Sequence, residues 1–252
     1  MKPILIIDPG HGGTDSGGGS NQYFKEKDLV LEISRYQAER FKQLGVAVQM
    51  TRMTDEYLSA TERTLRVQDS GAKFCISNHI NSAGNPSARG VETIHSIHND
   101  GKLAKAIFDS IVSAGMHGRR VFMRALESNK AKDYYFMHRE TGNVTTIIVE
   151  YGFASNDEDA QMMVKYWRDY AEAVVRAFCR FIDHPYTPPT PIPGSEDTPA
   201  IQRSVAVLLD GKRADGGYLI NGKAYLPARF FAEVFGATVG WSGEYVVVER
   251  NK

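Results

Sequence analysis

Four residues of this chain have the types and positions for hydrolytic chemistry: His11, Glu26, His79 and Glu150. His11 lies among glycines in Asp8-Pro9-Gly10-His11-Gly12-Gly13, just past the apolar run Ile4-Leu5-Ile6-Ile7. Glu26 opens a helical pattern in Lys25-Glu26-Lys27-Asp28. His79 and Glu150 each close an apolar run, in Ser77-Asn78-His79-Ile80-Asn81 and Val149-Glu150-Tyr151-Gly152. Two imidazoles and a carboxylate make a catalytic zinc set when the fourth position is left to water. A second carboxylate that stays off the metal supplies the general base such a site needs.

Taken singly, these residues are weak signals. Glu26 alone is an ordinary first-turn acid, which the helix dipole favours. Glu150 is the sharpest of the four, because an acid within an apolar strand costs several kcal/mol unless it is paired or placed in a site. The glycines at 10, 12, 13, 17, 18 and 19 fit neither the dinucleotide fingerprint nor the P-loop. His95, His98, His117, His138 and His184 lack a supporting acid or glycine context and read as surface or core histidines.

The elements that must position the four follow from periodicity. Ile4–Ile7 has the length and branching of a buried strand, ended by Pro and Gly. A helix runs from Lys25-Glu26 through Val30, Ile33, Phe41 and Leu44 and stops at Gly45. Val46–Met50, Lys73–Ile80, Gly90–Ile97, Tyr134–His138 and Thr145–Tyr151 read as strands. Thr61–Ser70, Lys102–Val112 and Asp157–Ile182 read as helices, the last broken near Tyr166. This alternation predicts an α/β fold, a mostly parallel twisted sheet with helices on both faces. In such a sheet, residues past the strand ends share one edge, where ligands bind.

Six of the ten prolines fall between His184 and Ala200, a composition that marks an extended linker. The expected organisation is a domain over 1–183, a linker over 184–200 and a small α+β module over 201–252. In the last, Val205–Leu209, Tyr218–Ile220, Ala224–Leu226 and Tyr245–Val248 read as strands. Asn221-Gly222 is a two-residue hairpin signal, and Pro227–Phe235 has helical spacing. A module of this size has a thin core, so the expectation is support from dimerisation, giving a homodimer, or from docking to its neighbour.

The totals remove other classes. Thirty basic residues balance thirty acidic ones, which leaves no global field to steer the chain to nucleic acid. No run reaches the ~18–20 apolar residues of a membrane span. Cys75 and Cys179 are the only cysteines and read as small core residues. Only four apolar residues stand between Lys2 and Asp8-Pro9, too few for a secretion signal. The expectation is synthesis in the cytoplasm without a visible leader, although a chain trimmed of its leader looks the same.

These motifs together resemble the zinc-dependent N-acetylmuramoyl-L-alanine amidases of the amidase-3 type. The resemblance covers about residues 3–183. It rests on Asp8–Gly13 with Asp15 and Gly17, Lys25–Leu29, Ser77-Asn78-His79 with Asn81-Ser82, Arg89–Thr93, and Val149–Phe153 with Ser155-Asn156. It implies one Zn2+ per chain held by His11, Glu26 and His79, with Glu150 catalytic. The implied substrate is peptidoglycan, cut between the lactyl group of N-acetylmuramic acid and L-alanine. Alternatives are a zinc peptidase acting on stem peptides and a catalytically dead wall-binding protein. Thr145-Thr146 stands where the family leads into its last strand with a proline, and Arg63 matches a family arginine expected to be structural. The implied biology is cell lysis, by a phage lysin or from within a sporulating mother cell, or wall turnover by an autolysin. The tail resembles the module related to the N-terminal domain of copper amine oxidases, through Leu209–Lys212, Ile220–Arg229 and Gly236–Trp241. It contains no His and no Cys, which argues against copper and leaves wall anchoring or assembly by analogy.

Overall fold

A computed structural model describes residues 3–189, and beyond them the backbone of five strands: β7 (Arg203–Leu209), β8 (Lys212–Ile220), β9 (Lys223–Tyr225), β10 (Ala237–Ser242) and β11 (Tyr245–Arg250). By its contacts the chain divides into two units, Met1–Thr190 and Pro191–Lys252.

The first unit is built on six strands: β1 (Leu5–Pro9), β2 (Val48–Met50), β3 (Phe74–Asn81), β4 (Val91–His95), β5 (Gly118–Phe122) and β6 (Thr145–Phe153). Their order is β2-β1-β3-β6-β4-β5. Every neighbouring pair is parallel except β4 and β6. The expected mostly parallel sheet is present, with β4 and β5 running against the rest.

Both faces are covered, so the central strands read as continuous apolar runs. On one face Leu5, Ile7, Ile76, Val149 and Tyr151 pack in the larger core. That core is closed by α1 (Glu26–Gln43), α3 (Lys102–Ser113) and α5 (Asp157–Phe181). On the other face Ile6, Cys75, Ile94 and Ile148 meet Val67 of α2 (Ala60–Ser70) and Met137 of α4 (Phe136–Arg139). Cys75 and Cys179 are both buried free thiols.

Local chemistry sets the helix ends. Ser59 and Glu62 form a reciprocal capping box at the start of α2, and Gly71 ends it at φ 65°. Asn156 accepts from the Asp159 N–H at the start of α5. Tyr166 breaks the helical backbone of α5 at φ −123°, ψ 15°, where the sequence suggested a break. A satisfied buried network then fixes α1 against the sheet. Asn78 donates to Ser34 Oγ and Gln37 Oε1, Tyr151 donates to Asn78, and Gln37 donates to Tyr151, all at 2.8–3.0 Å.

One local expectation changes, and one strand was not anticipated. Tyr134–His138 is not a strand; only the single turn α4, Phe136–Arg139, is regular there. The apolar side chains that suggested a strand serve the smaller core instead, Met137 at its centre with Tyr135 and Phe136 against it. The edge strand β5 went unread because GRRVF is short and charged and follows α3 closely. In the second unit β7 pairs antiparallel with β8, β8 with β9, and β10 with β11. Ile220 pairs with Lys223, so the Asn221-Gly222 dipeptide links paired strands. The turn itself, the helical stretch Pro227–Phe235 and most of the proline-rich segment lie outside the described residues. Among the described residues no helix is long and apolar enough to cross a membrane.

Candidate metal centre

The first strand ends at Pro9, and the chain then turns sharply enough to place His11 at φ 57°. That left-handed conformation is uncommon for a residue with a side chain and tends to be held at functional sites. Two arginines hold it here. Arg63 Nη2 donates to the His11 carbonyl at 2.8 Å and Arg63 Nη1 to Pro9 O at 2.7 Å. Arg52, 1% exposed, donates to Pro9 O, Gly10 O and Lys27 O. Gly10 is required for packing, since a Cβ there would run into the His79 ring.

Glu26, the first residue of α1, is 1% exposed. Its Oε1 lies 3.1 Å from His11 Nε2 and 3.3 Å from His79 Nδ1. It also accepts from the Ile80 N–H at 2.9 Å, while Oε2 accepts from the Gly19 N–H at 2.7 Å. Gly17, at φ 82°, lies so close that a Cβ would meet Oε2. The glycine loop is therefore a wrapping for this carboxylate. His79 comes from β3, where the register shifts between His79 and Asn81, a bulge of the kind that re-aims side chains beside active sites. One donor atom from each of His11, Glu26 and His79 lies within 4.8 Å of the others.

The charges are matched. Burial would raise the Glu26 pKa, but hydrogen bonds from His11 and His79 outweigh it and hold the carboxyl far below its usual range. Burial would lower the His11 pKa, but the bonds to Glu26 and Asp15 push it up to about 9. Asp15 Oδ2 sits 2.8 Å from His11 Nδ1, leaving Nε2 toward Glu26. That is the outer-shell contact that orients a ligating imidazole.

Glu150 pairs in register with His79 on one side and with Glu92 on the other. Register partners project from the same face, which sets its carboxyl beside the three donors. Burial pushes its pKa up to about 7, with the charges of Glu26 and Glu92 adding and His79 and His11 opposing. Its Oε2 is buried without a hydrogen-bond partner among the described residues. A near-neutral pKa and an unengaged oxygen suit a group that takes up and returns a proton.

All four residues singled out in the sequence thus come together, although His79 and Glu150 lie inside their strands and not at the ends, since β3 runs on to Asn81 and β6 to Phe153. Arg63 has the structural role the resemblance implied, but sequence reasoning missed its buried partner. Asp8 is fully buried and accepts from Arg63 Nη1, Thr51 and Ser77 at 2.6–2.7 Å. Burial would raise its pKa, but Arg63 and the two hydroxyls hold it below the usual carboxylate range. The clue was Asp8 itself, an acid closing an apolar strand. Glu92, Arg119 and Arg120 were also missed. Among the remaining histidines, His138 is 8% exposed and buried beside β6, and none of them joins the donor group among the described residues.

A His-Glu-His donor set with a free carboxylate beside it, on the edge of an α/β sheet, defines the class: a metal-ready hydrolase centre. The N-acetylmuramoyl-L-alanine amidase family profile matches residues 5–183, and the chain belongs to that family. It is a hydrolase, and peptidoglycan is its substrate. A second profile, the copper amine oxidase N-terminal domain, matches residues 212–249. The endolysin of Bacillus phage SPP1 is 24% identical over 91% of this chain and 84% of its own length. The amidase AmiC2 of Nostoc punctiforme is 26% identical, with a TM-score of 0.65 over 73% of this chain and 99% of that one. An N-acetylmuramoyl-L-alanine amidase from Clostridium difficile 630 is 28% identical, with a TM-score of 0.63 over 73% and 98%.

Proposed function

We propose that His11, Glu26 and His79 hold one zinc ion and that Glu150 is the general base and acid of amide hydrolysis. The observation that carries the assignment is the divided donor set: three converging donors within 4.8 Å, and a fourth, Glu150, with a pKa near 7 and an unengaged Oε2. Two imidazoles and one carboxylate suit zinc with a position open. When bound, the ion would lower the pKa of water and polarise the scissile carbonyl. Glu150 takes a proton from the attacking water and delivers it to the departing amine of L-alanine, so the same carboxyl serves both halves of the reaction. Asp15 keeps the His11 ring oriented, and Arg52 and Arg63 keep the loop from drifting.

Residues 1–183 form the catalytic part, 184–200 the connection and 201–252 a module for wall binding or assembly. The match to the phage endolysin runs over 91% of the chain and so includes tail residues, which favours a lysin role in cell lysis over a housekeeping one.

Mass spectrometry of purified peptidoglycan after digestion tests the assignment. The expected product is stem peptide with a free L-alanine amine, lost with a chelator and restored by zinc. Glu150→Gln is expected to slow turnover by roughly 10²–10⁴-fold while zinc content stays at one per chain. Full activity of that variant would refute the base assignment. Cuts between amino acids would move the reaction to a peptidase.

A further inference from the structure

His79, Glu150, Glu92 and Arg120 are successive register partners across β3, β6, β4 and β5. Adjacent strands lie about 4.8 Å apart, so the Arg120 backbone stands about 10 Å beyond that of Glu150 along one face. The start of β5 carries a bulge. Val91 pairs with Gly118 and Glu92 with Arg120, which leaves Arg119 as the extra residue and lets two consecutive arginines reach the same partner. Both donate through Nε to Glu92 Oε1, at 2.8 and 2.7 Å. Glu92 is 2% exposed, and its Oε2 accepts from Asn81 Nδ2 at 2.9 Å.

The guanidinium planes are fixed from a second side. Arg119 lies 5.0 Å from the Phe153 ring centroid and Arg120 lies 4.1 Å from that of Phe122. One guanidinium suffices to neutralise Glu92; the second is surplus charge held in place. Among the described residues only the Nε atoms are engaged. The two side chains are 38% and 54% exposed. Oriented guanidinium N–H groups at the mouth of a site are suited to binding a carboxylate by paired, charge-assisted bonds.

We propose that Arg119 and Arg120 form a clamp for a carboxylate of the stem peptide, that of the residue following L-alanine. The proposal rests on the amidase reading, which puts the scissile amide at Glu150. Where that carboxyl stands free the clamp meets a charge, and where it is a carboxamide it does not. The clamp accepts the charged form and makes the enzyme selective among wall chemistries.

The test uses the full-length, zinc-loaded chain and two muramyl peptides that differ only in carboxylate or carboxamide at the second residue. Hydrolysis gives kcat/KM, and calorimetry gives peptide affinity independently of turnover. A preference of about 10–100-fold for the carboxylate is expected in both readouts. Arg120→Gln, in which Arg119 still holds Glu92, is expected to cut the preference to about threefold through KM. Arg120→Lys should restore part of it. Equal handling of the two peptides by the wild type would overturn the clamp. So would an unchanged ratio in Arg120→Gln, since a purely structural loss weakens both substrates alike. A wild type that binds with the expected preference but hydrolyses neither peptide would overturn the amidase reading and leave the clamp standing.

Discussion

Replacing Arg63 by methionine removes a charge from the least accessible part of the site while keeping most of the volume. Arg63 is 5% exposed and sits 2.6 Å from Asp8, which is fully buried. Two hydroxyls, Thr51 and Ser77, remain on Asp8 after the change, but neither carries charge. Breaking a buried ion pair by removing one partner costs about 3–5 kcal/mol, a large share of the 5–15 kcal/mol that holds a typical domain. The pH dependence has a definite sign. In the wild type the folded Asp8 pKa is depressed, so its contribution is present above the unfolded value near 3.9 and lost as pH falls below it. In Arg63→Met, burial is opposed only by the Thr51 and Ser77 hydroxyls and by charges not paired with Asp8, those of His79 and Arg52, and the folded pKa is expected to rise above the unfolded one. The penalty is then full above that raised pKa and shrinks as pH falls. Urea unfolding at pH 7.5 and at pH 5 should therefore show a deficit that is smaller at the lower pH, with an unchanged m value. Asp8→Asn in the Arg63→Met background should recover part of the loss, because the stranded charge is gone. Metal affinity should fall about tenfold as well, since the His11 carbonyl loses its anchor. A deficit below about 1 kcal/mol at pH 7.5, or no recovery in the double variant, would refute this account of the loop.

Two further outcomes are expected. Asp15→Asn should weaken zinc binding by about 10–100-fold without moving the melting temperature much, because Asp15 orients His11 from outside the donor set. Competition with a chromophoric chelator measures this, and unchanged affinity would remove Asp15 from that role. His138, 8% exposed, has its pKa pushed down to about 4 by burial, with Asp133 and backbone hydrogen bonding at Ile94 and Thr146 opposing and His95 adding. A depressed histidine pKa leaves stability complete above the ordinary value of about 6.5 and lost as pH falls toward 4. The linkage gives about 2 kcal/mol lost at pH 5 relative to pH 8. His138→Phe should flatten that part of the stability curve. Parallel wild-type and variant curves would show that His138 titrates as if it were exposed.

The four proposed site residues were legible because His11, His79 and Glu150 stand where local physics disfavours them, and Glu26, ordinary at a helix start, falls in line with them. His11 follows a buried strand, Glu26 opens a helix, and His79 and Glu150 interrupt apolar runs. Bringing His11, His79 and Glu150 together requires that β1, β3 and β6 be parallel neighbours, and these strands lie side by side with His79 opposite Glu150. Tyr134–His138 shows the limit of the same reading. Its aromatic run has strand composition, but the side chains serve the smaller core from a single helical turn. Tertiary packing overrides local preference most easily in so short a segment.

The arginine pair was out of reach for a different reason. Glu92 and Arg120 are neighbours of Glu150 only because β4 inserts antiparallel between β6 and β5 and because the register slips by one residue at Gly118. Without that slip, one of the two arginines would point to the opposite face, since side chains alternate along a strand. No propensity or spacing rule marks that slip in GRRVF. The residues proposed to react thus stand at breaks in the apolar pattern, where sequence punctuation exposes them. The proposed clamp depends on the register slip in β5, which only the assembled sheet defines. Substitutions of Arg119 and Arg120 on β5 are therefore expected to change which walls are cut, while those of His11, His79 and Glu150 are expected to abolish cutting.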